Sequence, residues 1–576
     1  MVERIFFSTW RPFAWVGLAV FLLYGRTIFF SEYTYLDDYY MIVDYQHLLT
    51  NPRHFLNAFT EDVFHTNQGG MYYRPILTVS LMVDALIGGT SPAVYRFSNI
   101  VYHILTAAFL IALLKELGFK NSFAFAASLI FAVHPAMTQA VVWIPGRNES
   151  LLSMFLLLSI IGMLRFQSSL RLRWYFVHLL FFALALLTKE NALMAPALFV
   201  VLFFRKPRAE FSFAHYLLLG LGWFFIILYW VYGREAAMIM QLNDYRATIT
   251  AISKNSWALL SFLGTTVWPW NLFTIAVAED LSIIPGLVGL VCILGFFLYS
   301  KEKNWFLLMW GALWFALFLL PTFYRNPNAL HPMRFFEHRV YLSFIGFLLM
   351  MAAGSLQTLW NRWRPASTLV LGLLFVALLV SSFRHSNSFA DAMTFSEQTA
   401  LTSPHSTFVH HEITMMELPP TFKASIVFSK RSAEPSTYYE KLKELEERLQ
   451  HTNEPDHTTA EIHLNLGAIY FAMGRLKSAE TELMQVLSLQ PEHVIAQYNT
   501  GVLYYHGHFE KRAEQYWQKT IELDPSFADA YRNLCYLYYQ WKEYSTAMQY
   551  AHLSEKFGAS IPADLLNELR QLTNTN

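Results

Sequence analysis

Residues 33–45, YTYLDDYYMIVDY, set two adjacent carboxylates, Asp37 and Asp38, among tyrosines just past an apolar run. A pair placed there either caps a helix, for which Asp is well suited, or belongs to a site. In a partly desolvated site a carboxylate's pKa rises, and it can then take a proton from a hydroxyl. Adjacent side chains point apart on an extended segment and lie about 100° apart at a helix start. One carboxylate can therefore serve a site while the other caps a helix beginning at Tyr39. Asp38 directly precedes that start, which favours Asp37 as the proton acceptor. A divalent cation held by both carboxylates is a further option, because hard cations take carboxylate oxygens. No spacing of the zinc kind stands out elsewhere in the chain.

Other ionisable residues sit against apolar runs: Arg74, His134, Arg147, Lys189, Glu190, Glu337, His338 and Arg339. Ionisable groups near membrane depth are expensive and usually functional, and arginine or lysine can hold an anionic group. Each also has a structural alternative. Lys189 and Arg339 suit snorkelling at an interface. His134, before Pro135, suits a helix end. Glu190 and Glu337 suit ion pairs with Lys189 or Arg339.

The elements that must position these residues are membrane helices. The chain has 576 residues, 55% hydrophobic and only 15% charged, too apolar for a soluble protein of this size. Its formal net charge is zero, so no basic field points to nucleic acid. Two cysteines, Cys292 and Cys535, lie too far apart in character to suggest a disulfide. Counting about 20 apolar residues per span predicts about eleven spans, near 12–30, 96–116, 122–142, 149–168, 173–188, 191–206, 213–232, 282–300, 304–323, 338–357 and 366–384. The first reads as an uncleaved signal-anchor. Segment 255–275, with Pro269 among tryptophans, reads as re-entrant or interfacial. With the N-terminus cytoplasmic, the inside loops are KELGFKN, RFQSSLRLRW, FFRKPR, SKEKN and NRWR, a strong positive-inside pattern. The candidate site residues then collect on the opposite face. An odd span count sends the C-terminal part to that face too.

Beyond residue 384 the composition turns polar. Residues 385–454 read as a connector with a helix, and from 455 a period of 34 residues appears: Gly467 and Gly501; Ala479, Ala513 and Ala547; Pro491 and Pro525; Asn465, Asn499 and Asn533. Small residues at that period are the tetratricopeptide signature, an α-solenoid whose concave surface binds peptides or partner proteins.

Several stretches, in order, carry a resemblance: YLDDYY (35–40), YYRPILTVS (72–80), HPAMTQAVVWIPGRNESLLS (134–153), LLTKENALMAPAL (186–198), VWPWNL (267–272) and FEHRVYLSFIGFLL (336–349). Together with the repeats, the chain resembles the transmembrane-and-tetratricopeptide-repeat (TMTC) proteins, which group with the GT-C glycosyltransferases near the protein O-mannosyltransferases. The resemblance implies an all-α fold, a GT-C-like membrane domain over 1–384 and a tetratricopeptide domain over 455–576. It also implies a polyprenyl-phosphate sugar donor, a hydroxyl acceptor on protein Ser or Thr, and an extracytoplasmic active site. In that frame Asp37 or Asp38 is the general base, while Arg74, His134, Arg147, Lys189, Glu190, Glu337, His338 and Arg339 surround the donor phosphate. Membrane lipid surrounds the helices, and the repeats recruit the acceptor. Short loops and a compact array point to a bacterial inner membrane. The chain departs from the family at Gln139, where glutamate is usual, and at Ser343, where proline is common. A second reading therefore stands beside the first: a non-catalytic membrane anchor for a repeat scaffold or assembly factor.

Overall fold

The computed structural model describes residues 9–34, 37–65, 72–203, 211–237, 245–270, 272–323, 333–354, 364–403, 445, 449, 456–472 and 475–574. The chain forms two compact units, Met1–Asp391 and Ala392–Asn576.

The first unit is helical. Among the described residues, five helices are long and apolar enough to cross a membrane: Arg11–Phe29, Pro92–Glu116, Ile144–Ser169, Phe213–Glu235 and Trp305–Phe323. A sixth candidate is the pair Asn121–Val133 and Pro135–Val142, bent by 61°. The bend has a local cause. A residue before proline is pushed out of the helical region, and His134 is extended, with ψ 131°. The expected eleven spans are thus not reached by length and composition. Leu172–Thr188, Glu190–Leu202 and Ile284–Tyr299 are apolar but shorter. The basic loops at 203–208 and 361–364 lie largely outside the described residues.

Two local differences from the expected layout bear on the site. The stretch 31–95, read as one outside loop, contains the apolar helix Pro75–Gly88. Pro75 starts that helix at its first position, where a missing N–H costs nothing. Gly89 ends it at φ +59°, a conformation that glycine adopts freely. The segment 255–275 holds the ten-residue helix Ala258–Val267, which at 1.5 Å per residue is too short to cross about 30 Å of hydrocarbon.

Lipid tails offer no hydrophobic drive between helices, so small residues and buried polar contacts hold such bundles together. The Trp305–Leu319 and Val340–Ala352 helices meet at Gly311 and Gly346. A Cβ on Gly311 would lie 2.6 Å from the Gly346 carbonyl oxygen. His178 stitches three helices: its Nδ1 meets Ser159 Oγ at 2.9 Å and its Nε2 accepts from Trp223 Nε1 at 2.7 Å. The all-α expectation has one small exception. Ile275–Ala276 pairs antiparallel with Phe335–Phe336, in the register Ile275↔Phe336 and Ala276↔Phe335. This ribbon ties the segment after Trp270 to the one leading into Glu337.

The second unit is a series of paired helices: Asp456–Ala472 with Leu476–Leu489, Val494–His506 with Glu510–Leu523, and Ala528–Gln540 with Tyr544–Lys556, followed by Ala563–Asn574. The periodic residues sit where the pairs close. Ala479, Ala513 and Ala547 are fully buried, and a Cβ on Gly501 would lie 2.5 Å from the Trp517 indole. Part of the segment read as a connector is folded here. The Ala392–Thr402 helix packs on Leu476–Leu489, and Glu397 accepts from Arg475 Nε at 3.1 Å and Ser478 Oγ at 2.8 Å. Most of the remaining connector lies outside the described residues.

Candidate functional site

The Asp pair follows the first span and leads into a π-helical turn at Tyr40–Asp44. Such turns recur at functional sites. The two carboxylates face different surroundings. Asp38 is fully buried. Its Oδ2 accepts from the Thr34 backbone N–H and from Thr34 Oγ1, both at 2.9 Å, and its Oδ1 accepts from Tyr39 N–H at 3.1 Å. Two of its three bonds thus reach back to Thr34, and one reaches forward to Tyr39. Burial raises its pKa, while these bonds and the nearby Arg96 oppose the rise. Arg96 in turn donates to the carbonyls of Phe30, Glu32 and Phe389. Three of the roughly four acceptor positions of this carboxylate are thereby taken, and the one left is on Oδ1.

Asp37 keeps an exposed surface, yet the surrounding protein desolvates its carboxyl group. Desolvation first, then the neighbouring Asp38 charge, lift its pKa to about 6, against the lowering influence of Arg74 and Arg334. A carboxylate tuned this way is half ionised near pH 6 and suited to accept a proton near neutrality.

Arg74, which precedes the Pro75–Gly88 helix, forms a two-pronged pair with Glu190: Nε to Oε2 at 3.0 Å and NH2 to Oε1 at 2.5 Å. The Tyr72 ring lies 4.3 Å from its guanidinium carbon. Lys189 pairs with Glu149, and both side chains are buried. The partners are thus crossed relative to the sequence expectation: Glu190 pairs with Arg74, and Lys189 with Glu149. His338 lies within the fields of Lys189, Arg339 and Arg74, and Arg339 within those of Tyr72, Glu149 and Arg74. Seven residues, Tyr72, Arg74, Glu149, Lys189, Glu190, His338 and Arg339, therefore share one polar region. Arg339 donates to two carbonyls, of Thr322 at 3.1 Å and Arg334 at 2.9 Å, rather than to a carboxylate.

Gln139 orders this region. Its Nε2 donates to the Thr274 carbonyl at 3.0 Å, while its Oε1 accepts from the His338 backbone N–H at 2.9 Å and meets His338 Nδ1 at 3.1 Å. The two outer bonds fix which way the amide points, so Nδ1 carries the proton and Nε2 is left as the acceptor nitrogen. An ionised glutamate at 139 could not donate to the Thr274 carbonyl, so glutamine suits both ends of this clamp.

The remaining sequence candidates lie elsewhere. Arg147 is fully buried and pairs with Asp84 at 2.6 Å. It also donates to Asn99 Oδ1 and to the Tyr95 carbonyl, both at 2.9 Å. Asn99 in turn donates to the carbonyls of Val141, Trp143 and Ile144. This network joins three helices to the loop before Arg147 and leaves the guanidinium no face for a ligand. His134 turns its Nδ1 to the Ala136 N–H at 3.3 Å, bridging the break in the bent pair. Glu337 pairs with His385 at 2.8 Å, where the sequence suggested Lys189 or Arg339. Sequence reasoning missed Glu149, Tyr72 and the clamp at Gln139. A carboxylate three residues into an apolar helix was the signal available for Glu149.

Residues 78–232 match the family described as dolichyl-phosphate-mannose-protein mannosyltransferase. A protein O-mannosyl-transferase of Caenorhabditis elegans is 27% identical over 215 residues, 36% of this chain and 29% of that protein. Protein O-mannosyl-transferase TMTC2 of Homo sapiens is 36% identical over 89 residues, 16% of this chain and 11% of the relative. Protein O-mannosyl-transferase TMTC1 of Homo sapiens is 30% identical over 146 residues, 24% and 16% of the two chains. The similarity is thus distant and partial, and each match spans less than a third of the relative's length.

Proposed function

We propose that this integral membrane protein, with a dolichyl-phosphate-mannose-protein mannosyltransferase region at residues 78–232, moves a sugar from a polyprenyl-phosphate donor to a hydroxyl, on Ser or Thr of a protein. The observation that carries the reading is Asp37, an exposed carboxylate lifted to about 6 with Arg74 close by. The acceptor oxygen attacks the anomeric carbon, and the bond from that carbon to the phosphate oxygen breaks. Asp37 takes the hydroxyl proton, and the donor leaves as polyprenyl phosphate. Arg74, Lys189 and Arg339 supply positive charge where the leaving phosphate gains negative charge, the usual source of stabilisation in such reactions. His338 Nε2, an acceptor, suits a sugar hydroxyl.

Both cations with carboxylate partners, Arg74 and Lys189, are held in place before any donor arrives. Preorganised charge of this kind costs no rearrangement during reaction. The paired helices of the second unit, read as tetratricopeptide repeats, recruit the acceptor. The N-terminus is cytoplasmic, and the site and repeats lie on the other face of a bacterial inner membrane. The test is transfer of label from a radiolabelled polyprenyl-phosphate sugar to protein by the purified chain. Label on protein with wild type and none with Asp37→Asn supports the reading. No label with several donors and a co-purified acceptor overturns it in favour of the scaffold reading.

A further inference from the structure

The loop after the Asp pair brings together three residues that the sequence leaves apart. Glu61 follows His54 by seven residues and precedes His65 by four, a spacing that matches no common zinc motif. Folding gathers them, because residues 52–59 form two short 3₁₀ turns, Pro52–Phe55 and Asn57–Phe59, that double the chain back. Glu61 Oε2 then lies 3.0 Å from His54 Nε2 and 3.0 Å from His65 Nδ1. Among the described residues, this is the one group of three such side chains whose ligand atoms all lie within 4.8 Å of one another.

A second observation points to a ligand. His54 is only 7% exposed, and its Nε2 has no partner in hydrogen-bonding geometry, although it faces the Glu61 carboxylate. A buried donor or acceptor left this way normally costs free energy. The His54 and His65 rings sit 5.2 Å apart at 61°, so both nitrogens converge on the carboxylate from different directions. Bonds of about 2.0–2.1 Å to zinc in a tetrahedral arrangement place ligand atoms about 3.3 Å apart, within reach of small rotations here.

We propose that His54, Glu61 and His65 form a binding site for a divalent transition metal of the zinc class, with water in the fourth position. Two imidazoles and one carboxylate are a donor set that zinc accepts readily. The bound ion pins the loop beneath the Pro75–Gly88 helix. That loop already touches Tyr73, whose Oη donates to the Phe59 carbonyl at 2.9 Å, one residue before Arg74. None of its three residues is among those assigned to the transfer site, and the proposal does not depend on the proposed transfer activity.

The experiment uses the full chain, purified in detergent, stripped with a chelator and equilibrated with zinc. Wild type should retain one zinc per chain. His65→Gln and Glu61→Gln should each weaken binding by at least about 100-fold, since even outer-shell partners of a metal site contribute 10–100-fold. X-ray absorption on zinc-loaded wild type should show imidazole nitrogens and a carboxylate oxygen in the first shell, a readout that needs no variant to fold. Equal zinc in wild type and in the His54→Gln/His65→Gln double variant, or a first shell without imidazole, would overturn the proposal.

Discussion

Acidification should switch transfer off through Asp37 itself. Its ordinary value of 3.8 rises to about 6. The base form is then about nine-tenths populated at pH 7 and about one-tenth at pH 5, so kcat should fall about tenfold between them. At the ordinary value the carboxylate would stay more than about nine-tenths ionised at pH 5, and no such limb would exist. The sign separates this from unfolding. The folded chain holds this proton more tightly than the unfolded one, so Asp37 makes the fold less stable as pH rises from about 4 to about 6. Loss of transfer on acidification would thus occur where this group favours the fold. The assay is initial transfer rate from a saturating polyprenyl-phosphate sugar to a simple hydroxyl acceptor, across pH 5–8, with far-ultraviolet circular dichroism at each pH. Asp37→Asn should lower the rate roughly 10²–10⁴-fold and abolish the limb. Arg74→Gln removes a charge that favours the ionised form, so the limb should move to higher pH. A limb near pH 6 that survives in Asp37→Asn would refute the assignment of the base.

Asp38→Ala removes the acceptor of three hydrogen bonds and should destabilise the first unit by about 1–3 kcal/mol per group left unsatisfied, seen as a lower melting temperature in detergent. Arg147→Met leaves Asp84 buried without its ion-pair partner and should cost about 3–5 kcal/mol; the double variant with Asp84→Leu should recover part of that loss. Deleting residues 455–576 should cut labelling of a protein acceptor while sparing transfer to a simple hydroxyl, as compared in parallel assays. A reporter active only in the cytoplasm, fused after Asn576, should be silent.

Sequence alone set the class of the molecule, because its signals are local. Runs of apolar side chains must leave water, and that requirement makes them helices in a membrane whatever their neighbours do. The 34-residue spacing of Ala479, Ala513 and Ala547 marks close helix contacts within adjacent pairs, and those alanines are fully buried. Adjacent carboxylates point apart by backbone geometry, so a difference between the two was legible, but that Asp38 is the buried one and Asp37 the exposed one was decided by the fold. Span lengths were not, because a break such as Glu190–Met194 depends on what packs around it.

Charge pairing was decided only by tertiary structure. Arg74 and Glu190 are 116 positions apart, and Lys189 and Glu149 are 40 apart. Lys189 and Glu190, neighbours in sequence, point to different partners. Arg147 lies in one of the stretches that carry the resemblance, yet its surroundings in the fold give it to Asp84 and Asn99. His54, Glu61 and His65 have no telling spacing and converge only because two short turns fold the loop back on itself. Burial of an apolar side chain depends on its own chemistry, whereas an ionisable group in a low-dielectric interior is settled by whichever partner the fold brings within reach.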